Sequence, residues 1–182
     1  MTNSPQRPHD RKGLVQVFTG SGKGKTSAAL GTVIRALGHG FQVCVIHFMK
    51  GSFPYGEQKV LGSLPNVTLQ IFGRLSFVNP NNPDEEDKEE ARKALEAGRR
   101  AVMSGDYDLV VLDEVNVASA WGLVSVDDVV RLIEARPPHV DVILTGRYAD
   151  KRLIEIADLV TEMNAIKHPF EKGIEARAGC EF

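Results

Sequence analysis

Two periods of hydrophobic and polar residues alternate along this chain. Short apolar runs recur at Leu14–Phe18, Phe41–Phe48, Val67–Phe72, Tyr107–Leu112, Val140–Leu144 and Leu159–Met163. Runs of this length predict β-strands. Those apolar at nearly every position, such as Phe41–Phe48, predict strands covered on both faces, as in a parallel sheet. Between them apolar residues fall three or four apart, which predicts helices over Lys25–Leu37, Pro83–Ser104, Val126–Arg136 and Asp150–Ala157. In the first helix Leu30, Val33, Ile34 and Leu37 share the stripe, and Gly38-His39-Gly40 ends it. Pro83 or Asp84 opens the long helix, and the acids from Asp84 to Asp87 suit the positive end of its dipole. The charge run that continues to Glu90 reads as a solvated face. Ser125 is a good N-cap, and Pro137-Pro138 stops the helix it opens.

Strands alternating with helices predict an α/β fold, a mostly parallel sheet flanked by helices with right-handed crossovers. Met49–Leu64, Gly73–Pro83 and the tail Ile166–Phe182 read as irregular, the tail as extended chain. No internal repeat divides the sequence. A single domain is expected over residues 13–182, preceded by a flexible N-terminal arm, residues 1–12. At 182 residues the chain is long enough to bury a sizeable core.

Composition adds mainly exclusions. A net charge of −2 gives no global reason to expect nucleic acid. No apolar run reaches membrane-spanning length, and the polar N-terminus lacks the apolar stretch of a signal peptide. The two cysteines, Cys44 and Cys180, are far apart and form no metal-binding spacing, so a reducing, cytoplasmic setting fits. Cys44 reads as a small buried hydrophobe.

The candidate chemistry is concentrated in Thr19-Gly20-Ser21-Gly22-Lys23-Gly24-Lys25-Thr26-Ser27. It sits between a predicted strand and a predicted helix, the arrangement that cradles a triphosphate. Backbone N–H groups turn inward, the helix N-terminus adds its dipole, Lys25 supplies a cation, and Thr26 offers a hydroxyl to Mg²⁺. Thr19 stands where the usual phosphate loop begins with Gly. The loop predicts a P-loop NTPase (RecA-like) architecture, with ligands at the C-terminal edge of the sheet. There Lys50, Glu57, Asp113, Glu114 and Arg147 are expected to converge. Asp113-Glu114 ends an apolar strand downstream of the loop, as in a Walker B site, where carboxylates hold Mg²⁺ directly or through water. These features are shared by kinases, motor ATPases, GTPases and nucleotidyl or adenosyl transferases. The chain lacks the N-K-x-D base-reading motif of G proteins, and it has little room for the DNA-binding apparatus of a recombinase-like motor.

Several segments together resemble the P-loop type of ATP:corrinoid (cob(I)alamin) adenosyltransferases, over roughly Gly13 to Phe182. TGSGKGKTSAALG is similar to that family's TGNGKGKTTAA-G, including the Thr at the first Gly position. VIHFMKG…YGE resembles V-QF-KG…GE, DLVVLDEVN resembles D-VVLDE, and TGRYADKRLIEIADLVTEM resembles TGR…L-ELADLVTEM. The C-terminal KHPFEKGIEARAGCEF is similar to K-HPF-x-GI-A-xGIE-F.

The resemblance implies transfer of the 5′-deoxyadenosyl group of ATP to Co(I) of a reduced corrinoid, with release of tripolyphosphate, in adenosylcobalamin biosynthesis or salvage. It also implies a nucleotide held in the sense opposite to that of P-loop hydrolases. A small P-loop NTPase or kinase acting on another metabolite is the alternative. On the adenosyltransferase reading Gly20, Ser21, Gly22, Lys23, Gly24, Lys25 and Thr26 bind the triphosphate, and Ser27 adds a phosphate hydrogen bond. Thr26 and Glu114 hold Mg²⁺, with Asp113 a direct or indirect ligand. Lys50, Glu57 and Arg147 are candidates for nucleotide or corrinoid contacts, with ion pairing as the other role open to them. His168 is expected to be a hydrogen-bonding residue, Trp121 and Tyr55 packing residues, and Cys180 part of the packed tail. Where the family has an aromatic pair that presses on the corrinoid, this chain has Phe77 and Val78. The resemblance further implies a homodimer and admits an electron-donor flavoprotein as partner.

Overall fold

The computed structural model describes residues 11–51 and 55–182. Most of the expected flexible arm, residues 1–10, lies outside the described residues. At the arm's end Arg11 is tied down: its guanidinium donates to Asp141 and lies 4.6 Å from the Phe41 ring centroid.

Among the described residues the strands are β1 (Val15–Thr19), β2 (Val43–His47), β3 (Val67–Ile71), β4 (Leu109–Asp113), β5 (Asp141–Thr145) and β6 (Leu159–Glu162). All pair in parallel, in the order β3-β2-β4-β5-β1-β6. The helices are α1 (Lys25–Gly38), α2 (Gly56–Leu61), α3 (Glu85–Ser104), α4 (Val115–Ala120), α5 (Val126–Glu134) and α6 (Lys151–Ile156). A single 3₁₀ turn, Pro169–Lys172, interrupts the tail.

Every residue of β2, β4 and β5 is buried. The period of two then sorts their side chains between two cores. Val43, Val45, Leu109, Val111 and Ile143 pack with Ala29 and Val33 of α1. Cys44, Ile46, Val110, Leu112, Val142 and Leu144 pack with α3, α5 and Leu153 of α6. This double burial is why these strands read as near-continuous apolar runs. Ile34, expected on the apolar stripe of α1, is instead 53 % exposed, because the buried face runs through Ala29 and Val33.

Two short helices fall where the periodicity showed none. The first, α2, lies inside the expected irregular stretch Met49–Leu64, and α4 follows directly on Glu114. Both are under two turns and neither has a side-chain N-cap, whereas the equally short α6 opens behind the capping Asp150. The long helix behaves as expected: Asp84 caps it, and the Asp87 carboxylate accepts from the Asp84 N–H at 3.3 Å. Asp87 departs from the solvated face expected of this charge run. It is buried, and Arg74 reaches Asp84 at 2.7 Å and Asp87 at 3.6 Å, fastening the loop after β3 to the start of α3.

The phosphate loop is built against the last strand. The Gly22 N–H donates to the Met163 carbonyl at 2.6 Å, and the Met163 N–H donates to the Thr19 carbonyl at 2.9 Å. Thr19 is buried, and its hydroxyl accepts from the Ala149 N–H at 3.3 Å, joining the loop to the segment after β5. The residue after it carries the left-handed turn: Gly20 has φ +97°, and a Cβ there would lie 2.4 Å from the Met163 carbonyl oxygen. Gly20→Ala should therefore cost about 2 kcal/mol or more, since backbone strain adds to a clash with main chain that cannot move aside. Thermal unfolding checks this, with a Tm lowered by roughly 4 °C or more expected for a chain of this size.

Candidate functional site

The C-terminal ends of β1, β4 and β5 lie side by side, and each delivers one part of the site. Lys25 and Thr26 open α1 behind the loop. Lys25 is buried, and its ammonium donates to the carbonyls of Gly22 (2.6 Å) and Gly20 (3.1 Å). Burial lowers its pKa, with Arg147 adding to the effect and Glu114 and Asp113 opposing it. It is thus a cation held in the cradle by weak carbonyl partners that a phosphate would displace.

Asp113, at the end of β4, is almost wholly buried and is the most heavily partnered carboxylate of the site. Its Oδ1 accepts from the hydroxyls of Thr145 (2.6 Å) and Thr26 (2.9 Å). Its Oδ2 lies 2.7 Å from the ammonium of Lys50. Burial would raise the Asp113 pKa, but Lys50, His47 and these hydrogen bonds hold it below the ordinary range. Lys50 is itself buried, 3.5 Å from Glu57 and 4.7 Å from the centroid of the Tyr55 ring. Its desolvation is more than offset by Asp113, so its pKa is raised. His47 pairs in register with Asp113 across β2 and β4 and is fully buried. Burial lowers its pKa, neither ring nitrogen has a hydrogen-bond partner among the described residues, and its Nδ1 stands 3.8 Å from Asp113.

Glu114 is shaped differently. Its backbone is left-handed, φ +67°, and its N–H donates to the Thr145 hydroxyl at 2.9 Å. Its side chain lines the cleft with Lys25 and Lys50, and burial and the neighbouring Asp113 raise its pKa. A hard, oxygen-liganded cation fits the donors present: the Thr26 hydroxyl, oriented by its donation to Asp113, and the Glu114 carboxylate. No cluster of three His, Cys, Asp or Glu that could hold a metal alone occurs among the described residues. Mg²⁺ suits such a sparse set, because it keeps several waters and binds through one or two carboxylates plus substrate phosphates.

One cleft at this edge, of about 490 Å³, has two characters. Gly22, Lys23, Lys25, Lys50, Glu114 and Arg147 form its polar side. Phe48, Met49, Val78, Val117 and Trp121 form an apolar wall, and Tyr55, Tyr148 and His168 also border it. A second hollow, lined by Lys23–Ser27, α1, α2 and the tail, adjoins it through Lys23, Lys25, Lys50 and Glu114. Gly24, Thr26, Ser27 and Glu57 belong to this part.

The predicted residues therefore meet at one sheet edge, with exceptions. The Ser21 hydroxyl accepts from the Ala165 N–H at 3.4 Å, and Lys23 binds the tail at Cys180 and Glu181. Phe77 is 96 % exposed and is not among the cleft's lining residues, whereas Val78 packs on the core and lines it. Cys180, expected to pack, is exposed, because the tail presents its carbonyl inward to Lys23. Tyr55 and Trp121, expected only to pack, both line the cleft. Thr145, His47 and Glu181 gave no functional signal of their own. The segments that hold them were marked only by the quoted TGR, VIHFMKG and C-terminal patterns.

Residues 11–182 match the family described as ATP:corrinoid adenosyltransferase BtuR/CobO/CobP. The chain is 40 % identical over 174 residues to a corrinoid adenosyltransferase of Pseudomonas aeruginosa, covering 95 % of this chain and 85 % of the relative. It is 36 % identical to one of Escherichia coli K12 (95 % and 87 % covered) and 39 % identical to one of Sinorhizobium (95 % and 82 % covered).

Two expectations follow from the geometry. Lys50→Met should cost about 3–5 kcal/mol, because it strands the buried Asp113 carboxylate. Lys50→Met combined with Asp113→Asn should cost clearly less than the sum of the two single changes, by at least about 1 kcal/mol. Denaturant unfolding of the four proteins measures the coupling, and simple additivity would refute the pairing. In native protein one thiol, Cys180, should react with a neutral-pH thiol reagent. Cys44, fully buried with its pKa pushed up to about 11, should react only after unfolding.

Proposed function

This chain belongs to the ATP:corrinoid adenosyltransferase family, and from that membership we propose how its own residues carry the transfer. The observation that supports the reading most is the joining of a phosphate cradle to an apolar wall in one cleft. A triphosphate needs the first, and the broad, largely apolar face of a corrinoid suits the second.

In the reaction the Co(I) centre of the reduced corrinoid substrate attacks the 5′ carbon of ATP. The cobalt electron pair forms the Co–C bond, the C5′–O bond breaks, and its electron pair leaves with tripolyphosphate. The protein then has no nucleophile to supply. Its task is to bring the two substrates together and to neutralise a leaving group that gains charge as the bond breaks. Lys25 and the loop N–H groups between Gly20 and Thr26, other than that of Gly22, which is committed to Met163, hold the phosphate chain, and Ser27 adds a hydroxyl at the start of α1. Thr26 and Glu114 would hold Mg²⁺, with Asp113 fixing Thr26; such an ion supplies charge neutralisation for the triphosphate. Thr26 and Glu114 are oxygen donors at the edge of the phosphate cradle, which supports this assignment.

Met49, Val78, Val117 and Trp121 would form the corrinoid-facing wall, and the exposed Phe77 next to Val78 offers a further apolar contact. Arg147 borders both the loop and this wall, a place suited to contacting the nucleotide where the two substrates meet. Among the described residues no helix is long and apolar enough to cross a membrane. We further read the protein as cytoplasmic and homodimeric, with a reduced flavoprotein as its electron donor.

Protein, Mg-ATP, a corrinoid and a strong reductant should yield adenosylcorrinoid and tripolyphosphate in equal amounts. Absorbance and ion chromatography follow the two products. Formation of ADP and phosphate with an unchanged corrinoid would overturn the assignment in favour of an NTPase. Lys25→Ala should lower the rate roughly 100-fold or more, as removal of a preorganised charge from a developing anion does. Glu114→Gln should raise the Mg²⁺ concentration needed for half-maximal rate while leaving the overall fold, read by circular dichroism, unchanged.

A further inference from the structure

Lys23 is the outer lysine of the phosphate loop and borders the cleft, yet its ammonium is engaged by the tail. It donates to the Cys180 carbonyl at 2.6 Å and to Glu181 Oε1 at 2.8 Å. The carboxylate that holds it is itself well held. Glu181 accepts from the Arg177 backbone N–H at 2.9 Å, from Arg177 Nε at 3.1 Å and from Arg177 Nη2 at 3.3 Å. The Glu181 N–H returns to the Arg177 carbonyl at 2.9 Å, and the Gly179 N–H to the Phe182 carbonyl at 2.7 Å. Residues 177–182 thus form a closed turn that presents the Glu181 carboxylate. That carboxylate stands where the two parts of the cleft adjoin, lining both. Its pKa is lowered to about 2, by Arg177 first and then Lys23, so it is an anion at any working pH.

A fixed anion at the edge of a triphosphate cradle is an electrostatic conflict. A phosphate chain in the loop lies within reach of Lys23, and one ammonium cannot neutralise both anions fully. The Lys23 side chain is half exposed, so its pair with Glu181 is of the weak, exchangeable kind. Building on the reading that the loop binds the triphosphate, we propose that Glu181 is an intramolecular competitor of the phosphate chain for Lys23. ATP takes Lys23 from Glu181 on binding, and Glu181 takes it back as tripolyphosphate leaves. Release is the step with most to gain. Tripolyphosphate is more highly charged than its ester in ATP, and the cradle that stabilises bond breaking also retains the product. A carboxylate tethered beside Lys23 acts at an effective concentration in the millimolar range or above, and recaptures the lysine whenever the product loosens.

Glu181→Gln tests this, because it keeps the shape and the acceptor oxygen and removes only the charge. Tripolyphosphate, titrated calorimetrically, should bind about two- to fivefold tighter to the variant, the span expected of a half-exposed ion pair. KM for ATP and kcat should fall together, and inhibition by added tripolyphosphate should strengthen, the pattern of slowed product release. In a Lys23→Gln background the same change should give a clearly smaller gain in affinity. Unchanged or weaker binding by Glu181→Gln would overturn the proposal, marking Glu181 as a latch for the tail or as a ligand contact. Failure of the wild-type protein to bind tripolyphosphate would instead overturn the reading of the loop. If Glu181→Gln proves unstable, a fluorophore on Cys180 of the otherwise wild-type chain gives a second measurement. Its emission should shift when tripolyphosphate breaks the neighbouring Lys23 contact, and a constant emission on saturation with tripolyphosphate would count against the exchange.

Discussion

One buried carboxylate organises this site. Asp113 ends a strand covered on both faces, where an unpaired charge would cost several kcal/mol. The fold answers with partners from separate stretches of chain: Thr26 from α1, Thr145 from β5 and Lys50 from the loop after β2. Each bond serves two purposes. It satisfies the anion, and it fixes the element that donates it. The phosphate loop thereby acquires a defined distance from the end of β4, although β5 lies between β1 and β4 in the sheet.

The same arrangement separates the roles of two adjacent acids. Asp113 is neutralised from within the protein. Glu114, turned out of the strand by its left-handed backbone, borders the cleft, and its charged form is disfavoured by burial and by Asp113. A group in that condition gains most from an incoming cation. An inward, partnered position and a cleft-bordering one are thus divided between neighbouring residues, and the division rests on which direction each side chain leaves the chain.

The strands, the long helix, the phosphate loop and the acids after β4 could be read from the amino-acid order, because each is a local signal: a period, a cap, a glycine spacing. What escaped was long-range or very short. For Lys50 a ligand contact and an ion pair both stood open, and nothing within ten residues of it announces that its nearest anion is Asp113. Lys23 and Glu181 are separated by nearly the whole chain, so no local pattern could pair them. Helices α2 and α4 are brief and lack the side-chain N-cap that marks the equally short α6. Phe77 and Val78 are adjacent and both apolar, yet one faces solvent and the other the core, because the loop between Gly73 and Asp84 has no regular alternation to sort them. Thr19 was visible as a departure from the usual motif, but its purpose depends on a hydroxyl contact to Ala149, 130 residues away.

The stapling of the phosphate loop to Met163 bears on how the protein is made. The loop's residues emerge early in synthesis, but β1 has β5 and β6 as its sheet neighbours, and both are near the end of the chain. A nascent polypeptide that has not yet released residue 163 from the ribosome possesses the nucleotide-binding sequence without the backbone that gives it shape. Its N-terminal strand must wait unpaired until the final segments appear, the long-range pairing that slows folding and leaves strand edges open to aggregation. Demand on chaperones should therefore be concentrated in the interval between the emergence of β1 and the arrival of β6.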